Sequence, residues 1–175
     1  MKKILLLFIL ILLVSFNSFS QNSLEFKDGK IYKATAVWDF ICEDYAFDEI
    51  LKIQIAKTQT GGIVKLTIKT SSPEIKIGEK VLLILKNGNI IHCIDKNLNT
   101  TNATERIAFY LLSNLEIIQL KKQNIENVRF KIIGTKSKFG SQTGHFTANN
   151  REKSYGLDKN LKNKYETAGE MRLLK

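Results

Sequence analysis

From Leu24 to about Tyr110, apolar and polar residues alternate with the period of two that marks a half-buried β-strand. Residues 30–42 read KIYKATAVWDFIC. Ala36, Trp38, Phe40 and Cys42 fall on one face, with Val37, Asp39 and Ile41 on the other. Residues 49–58 predict a second strand with Ile53 and Ile55 on one side, TQTGG at 58–62 a turn, and IVKLTIKT at 63–70 a third strand. After Pro73, the one proline, strands over 80–85 and 89–95 flank Asn87-Gly88, a hairpin dipeptide because both residues tolerate positive φ. The polar run NLNTTNAT at 97–104 predicts a loop, and 106–111 a further strand.

Residues 110–130, YLLSNLEIIQLKKQNIENVRF, break this rhythm with a helix. Ser113 and Glu116 fit a capping box, in which each side chain satisfies the backbone amide of the other residue. Leu112 and Ile117 are placed for a hydrophobic staple, and Leu115 and Ile118 for the buried stripe, with Leu111 or the stem of Lys122 beside them. Lys121, Lys122 and Gln123 mark the last turn, where cations suit the helix dipole, and Asn124 is a candidate left-handed stop. Residues 125–133 return to strand spacing. The helix carries no reagent-like polar set, since Glu116 is committed to the cap, so its expected task is to close the end of a sheet.

The expected fold is mainly β: a single β-sandwich-like domain over 24–133, with one short α-helix near its C-terminal end. A basic tail, 134–175, has few aliphatic residues before Leu173, so stretches of it are expected to stay mobile. A short strand over 171–174 is the one further element it offers.

The N-terminus adds an address. Lys2 and Lys3, the apolar run 4–14, and the small residues Ser18 and Ser20 form the three parts of a secretory signal peptide, 1–20. The run is shorter than the roughly 20 residues of a spanning helix. Cleavage between Ser20 and Gln21 would leave 155 of the 175 residues, enough for one domain. No cysteine lies near that junction for a lipid anchor. The ending FSQ resembles signal peptides of secreted Bacteroidota proteins. The expected location is periplasmic or extracellular, with no membrane span after cleavage.

The net charge of +10 loses Lys2 and Lys3 with the signal, leaving +8, and favours acidic partners. Residues 134–175 hold nine Lys or Arg against four Asp or Glu. Two cysteines, Cys42 and Cys93, are disulfide candidates in an oxidising compartment. A bridge would close a loop of roughly 50 residues, worth about 4 kcal/mol if unstrained. The alternative is two buried thiols acting as small apolar residues.

At Gly78, Lys80, Val81, Asn87, Gly88, Tyr110, Leu112, Ser113, Ile125, Val128 and Arg129 the chain resembles small uncharacterised secreted proteins of Bacteroidota. Their shared pattern is a G-x-K-V strand, an N-G hairpin, a Y-x-L-S helix start and an I-x-x-V-R strand. The resemblance implies a small β domain and supplies no catalytic residue.

Little local chemistry stands out. His92 and Cys93 are adjacent in a strand and point to opposite faces, His145 is distant, and no metal-ligand spacing occurs. No cofactor or metal is expected. No histidine is placed by spacing beside either cysteine, and nucleophile-elbow and phosphate-loop motifs are absent. The segment WDFICEDYAFDE, 38–49, gathers five carboxylates beside aromatic residues. Trp38, Asp39, Asp44, Tyr45 and Asp48 are its candidate ligand-binding residues, for calcium or a glycan; a solvated connection between strands is the plainer reading. Glycosidase carboxylates stand roughly 5–10 Å apart across a cleft, which neighbours in one turn seldom achieve. In the tail, Lys136, Lys138, Arg151 and Lys153, interleaved with aromatic residues, are candidate contacts to an anionic partner. A solvated tail is again the plainer reading. The expected function is therefore a non-catalytic binding or interaction protein of the cell envelope. Its partner would be an envelope protein or acidic glycan, with nucleic acid not expected. The alternative is a small envelope glycan hydrolase using Asp39, Asp44 and Asp48.

Overall fold

The computed structural model describes residues 22–42, 49–70, 72–102, 104–134, 143–151 and 163–174. Its core is a closed antiparallel barrel of eight strands, not the expected sandwich. The strands are β3 (Trp38–Ile41), β4 (Ile50–Lys57), β5 (Gly61–Lys69), β6 (Lys76–Leu85), β7 (Ile90–Thr101), β8 (Glu105–Ser113), β9 (Ile125–Ile133) and β10 (Gly144–Asn149). Around the barrel they run β10-β3-β4-β5-β8-β7-β6-β9, so β6, β7 and β8 form a meander inserted in reverse between β5 and β9. A hairpin of β1 (Ser23–Glu25) and β2 (Ile31–Lys33) lies outside it.

Alternation explains both layers. Trp38, Phe40, Leu51, Ile53, Ile55, Val64, Leu66, Val81, Leu83, Tyr110, Val128 and Phe130 point inward into one apolar core. Eight strands enclose a space that side chains just fill, so this is a packed barrel. Charged Lys52, Lys65, Arg129 and Lys131 are on the outside, the reverse of a barrel that faces lipid all round. Outward apolar residues of β4, β5 and β8 (Ala56, Ile63 and Phe109) are covered by Leu24 of the hairpin, with Phe26 edge-on to Phe109. No helix among the described residues is long and apolar enough to cross a membrane.

The expected helix is present as α1 (Asn114–Lys122), with Ser113 and Glu116 forming the capping box. It closes one barrel end, but through Ile117 and Leu120. The predicted stripe residues Leu115 and Ile118 are exposed instead. The helix is short, and its approach to β5 selects the Ile117 side: a Cβ on Gly62 would lie 2.5 Å from Ile117 Cδ1, so glycine makes the room. Asn124 does not adopt the left-handed conformation. It ties the chain to a second helix, α2 (Thr167–Leu173), by accepting from the Ala168 amide at 2.8 Å and donating to Glu166 at 2.7 Å.

Three further expectations change. Residues 97–101 continue β7 past an irregularity between Asp95 and Leu98, whereas 97–104 reads as a loop from polarity alone. The Asn87-Gly88 turn places only Gly88 at positive φ (85°), in the four-residue connection 86–89, with the Gly88 amide donating to the Leu85 carbonyl. The domain also does not stop at Ile133. Within 134–175, β10 pairs with β9 from Gly144↔Ile132 to Asn149↔Asn127 and so closes the barrel. Residues 171–174 are not a strand: Met171 belongs to α2, and it and Leu174 plug the barrel end beside α1.

Cys42 and Cys93 are buried and not joined by a disulfide. Their strands explain why. β3 and β7 stand four places apart around an eight-strand barrel, on opposite walls. Cys42 also follows the end of its strand while Cys93 lies near the start of its own, so the two thiols sit toward opposite ends.

Candidate functional site

Of the acidic aromatic segment 38–49, the structure describes residues 38–42 and 49. Trp38 is 0% exposed, its ring in the barrel core and its indole N–H bonded to Glu170 of α2 at 2.9 Å. Inward alternation with Phe40 and Cys42 makes it a core residue and removes it as a binding platform. Asp39, the outward neighbour, lines a shallow groove of about 400 Å³ with Lys52, Lys65, Thr67 and Glu105. The Lys52 ammonium, 3.2 Å away, holds the Glu105 carboxyl below its ordinary range, so Glu105 is an ionised carboxylate rather than a proton donor. Asp44, Tyr45 and Asp48 lie outside the described residues, as do Lys136, Lys138 and Lys153. Arg151 is half-buried just after β10.

A different set of basic side chains does converge. On the outer face of β6, β9 and β10, a groove of about 730 Å³ is lined by Lys80, Arg129, Lys131 and His145, with Gly78, Leu82 and Ile133 among its other walls. Register brings these residues together. Arg129 stands between Leu82 of β6 and Thr147 of β10, and Lys131 directly opposite His145. Arg129 and Lys131, two residues apart, share the outward face. All four basic side chains are exposed, and the described lining residues include no carboxylate. Like charges on neighbouring strands repel, which disfavours bringing Lys80 of β6 close to Lys131 of β9.

The groove exists because β6 leaves its partner. The ladder jumps from Ile77↔Ile132 to Val81↔Phe130, so residues 78–80 oppose the single residue 131. Such bulges bend a strand and re-aim its side chains. Here the bulge starts at Gly78, where a Cβ would come within 3.2 Å of the Lys131 carbonyl oxygen. From inside the barrel, the Tyr110 hydroxyl donates to the Gly78 carbonyl at 2.7 Å. The floor of the groove is therefore held by a core residue.

Part of this was readable. The i, i+2 spacing of Arg129 and Lys131 on a strand marks a basic outer face. Adding Lys80 and His145 needed the β6–β9 and β9–β10 pairings, which no local pattern reveals. Among the described residues no group of three or more His, Cys, Asp or Glu side chains is placed to hold a metal. No protein-family model, curated protein or solved structure matches this chain.

Proposed function

We propose that this is an exported, non-catalytic binding protein of the cell envelope that holds an anionic partner in the β6–β9–β10 groove. The observation that carries the reading is the convergence of Lys80, Arg129, Lys131 and His145 on one exposed groove. Export rests on the signal-like segment 1–20, which also agrees with the resemblance to secreted Bacteroidota proteins. A soluble acidic glycan is the simplest anionic probe of the groove, because an exported basic protein meets carboxylated and phosphorylated envelope components. The test is equilibrium binding of a soluble polyuronate at low and moderate salt, to wild type and to the Arg129→Glu/Lys131→Glu double variant. Affinity that falls steeply with salt and is lost in the variant supports the reading. Equal binding by both proteins removes the groove from it.

A further inference from the structure

The cationic groove does not end at β6; an apolar surface continues it. On the outer faces of β6 and β7, Ile84 pairs with Ile90 and Leu82 with His92, while Ile94 of β7 pairs with Leu111 of β8. Ile90 is 49% and Ile94 52% exposed, and Leu82 and Ile84 are half-buried. Isolated surface aliphatics are ordinary, but Ile84 and Ile90 are register partners, Leu82 shares their outward face, and Ile94 follows on that face of β7 beyond the exposed His92. Elsewhere on the barrel, the outward apolar residues of β4, β5 and β8 are covered by the β1–β2 hairpin. No described element covers Ile90 and Ile94. Leu82 lies beside Arg129 across the β6–β9 ladder, so apolar patch and cationic groove share a border.

Resting on the groove's reading as an anion site, we propose that this face docks on an anionic lipid surface. Lys80, Arg129 and Lys131 would meet the headgroups, and Ile84, Ile90 and Ile94 the headgroup–acyl boundary. Charge complementarity selects this occupant: a purely apolar partner would leave the adjoining cations unpaired, and a purely polar polyanion would leave the isoleucines in water. Surface binding of this kind adds buried apolar area to electrostatic attraction, so each contribution is separately removable.

The experiment is co-sedimentation of the full chain without residues 1–20 with vesicles of phosphatidylcholine alone and with phosphatidylglycerol added. The variants are Ile90→Ser/Ile94→Ser, Arg129→Glu/Lys131→Glu and, as a control on an exposed isoleucine outside the patch, Ile31→Ser. Circular dichroism confirms that each is folded. The expected result is binding to the anionic vesicles only, unchanged in the control and weakened about tenfold or more in either double variant. Three results would overturn the proposal: no vesicle binding, equal binding to both vesicle types, or binding indifferent to Ile90 and Ile94. If vesicles fail while the soluble polyuronate still binds through Arg129 and Lys131, the lipid assignment falls and the groove stands. If both fail, the groove reading falls with it.

Discussion

The hydroxyl of Tyr110, on β8, donates a 2.7 Å hydrogen bond to the carbonyl of Gly78, on β6, passing behind the intervening strand β7. One residue thereby serves the core and the outer groove together. Its ring is part of the packed interior, and its polar tip fixes the bulge that opens the surface.

Tyr110→Phe keeps the ring and deletes that bond, leaving a buried carbonyl unsatisfied. The expected cost is about 1–3 kcal/mol of unfolding free energy, measured by urea denaturation. Affinity of the groove for an anionic ligand should also fall, although no charge has changed. Unaltered stability would show that the bulge holds itself.

Burial pushes the thiol of Cys93 and the phenol of Tyr110 well above their ordinary ranges, with the charges of Glu116 and of Asp95 adding to the respective shifts. In the unfolded chain these groups ionise near about 8.5 and 10. A folded-state pKa raised above the unfolded value gives stability that is complete below the unfolded value and lost as pH rises toward the folded one. The denaturation midpoint should therefore decline above about pH 9, and decline less in Tyr110→Phe. Both cysteines should resist a thiol reagent at pH 8 in the native protein and react in denaturant; rapid native labelling would contradict their burial.

The edge of the chain at the start of β3 is held by α2. Glu170 accepts from the Ala36 amide and from the Trp38 indole, each at 2.9 Å, and the Tyr165 hydroxyl accepts from the Asp39 amide at 3.2 Å. Glu170→Gln leaves one of the two donors without its acceptor. A loss of about 1–3 kcal/mol is expected, with a shift in tryptophan fluorescence because Trp38 is the only tryptophan.

Chain ending at residue 133 should not fold cooperatively. It lacks β10, which joins β9 to β3, and α2, whose Met171 is fully buried in the core. Circular dichroism during heating gives the answer, and a sharp transition like that of the longer chain would mean that the barrel can close without them.

Local signals were reliable where a local cause operates. The Ser113–Glu116 box placed α1, and strict alternation placed β4, β5 and β9. What failed depended on distant partners. Eight alternating strands read alike whether they form two sheets or one closed ring, because the closure is made by the Gly144–Asn149 pairing with β9 and its meeting with β3 at Asn149↔Ile41. β10 itself is a six-residue strand in a segment rich in glycine, lysine and asparagine, where composition outweighed its inward Phe146 and Ala148. The acidic segment drew notice by density of charge, yet alternation had already turned Trp38 inward. The basic groove was hidden because its four basic side chains come from three strands.

The central claim is that the β6–β9–β10 groove takes an anionic partner. It is tested most directly by a backbone-amide NMR titration of the full chain without residues 1–20, using a soluble oligouronate as ligand. The account predicts shift changes concentrated at residues 78–82, 129–131 and 145–147 and suppressed by added salt. Changes centred instead on the Asp39 groove, or none at ligand concentrations that saturate other basic proteins, would contradict it.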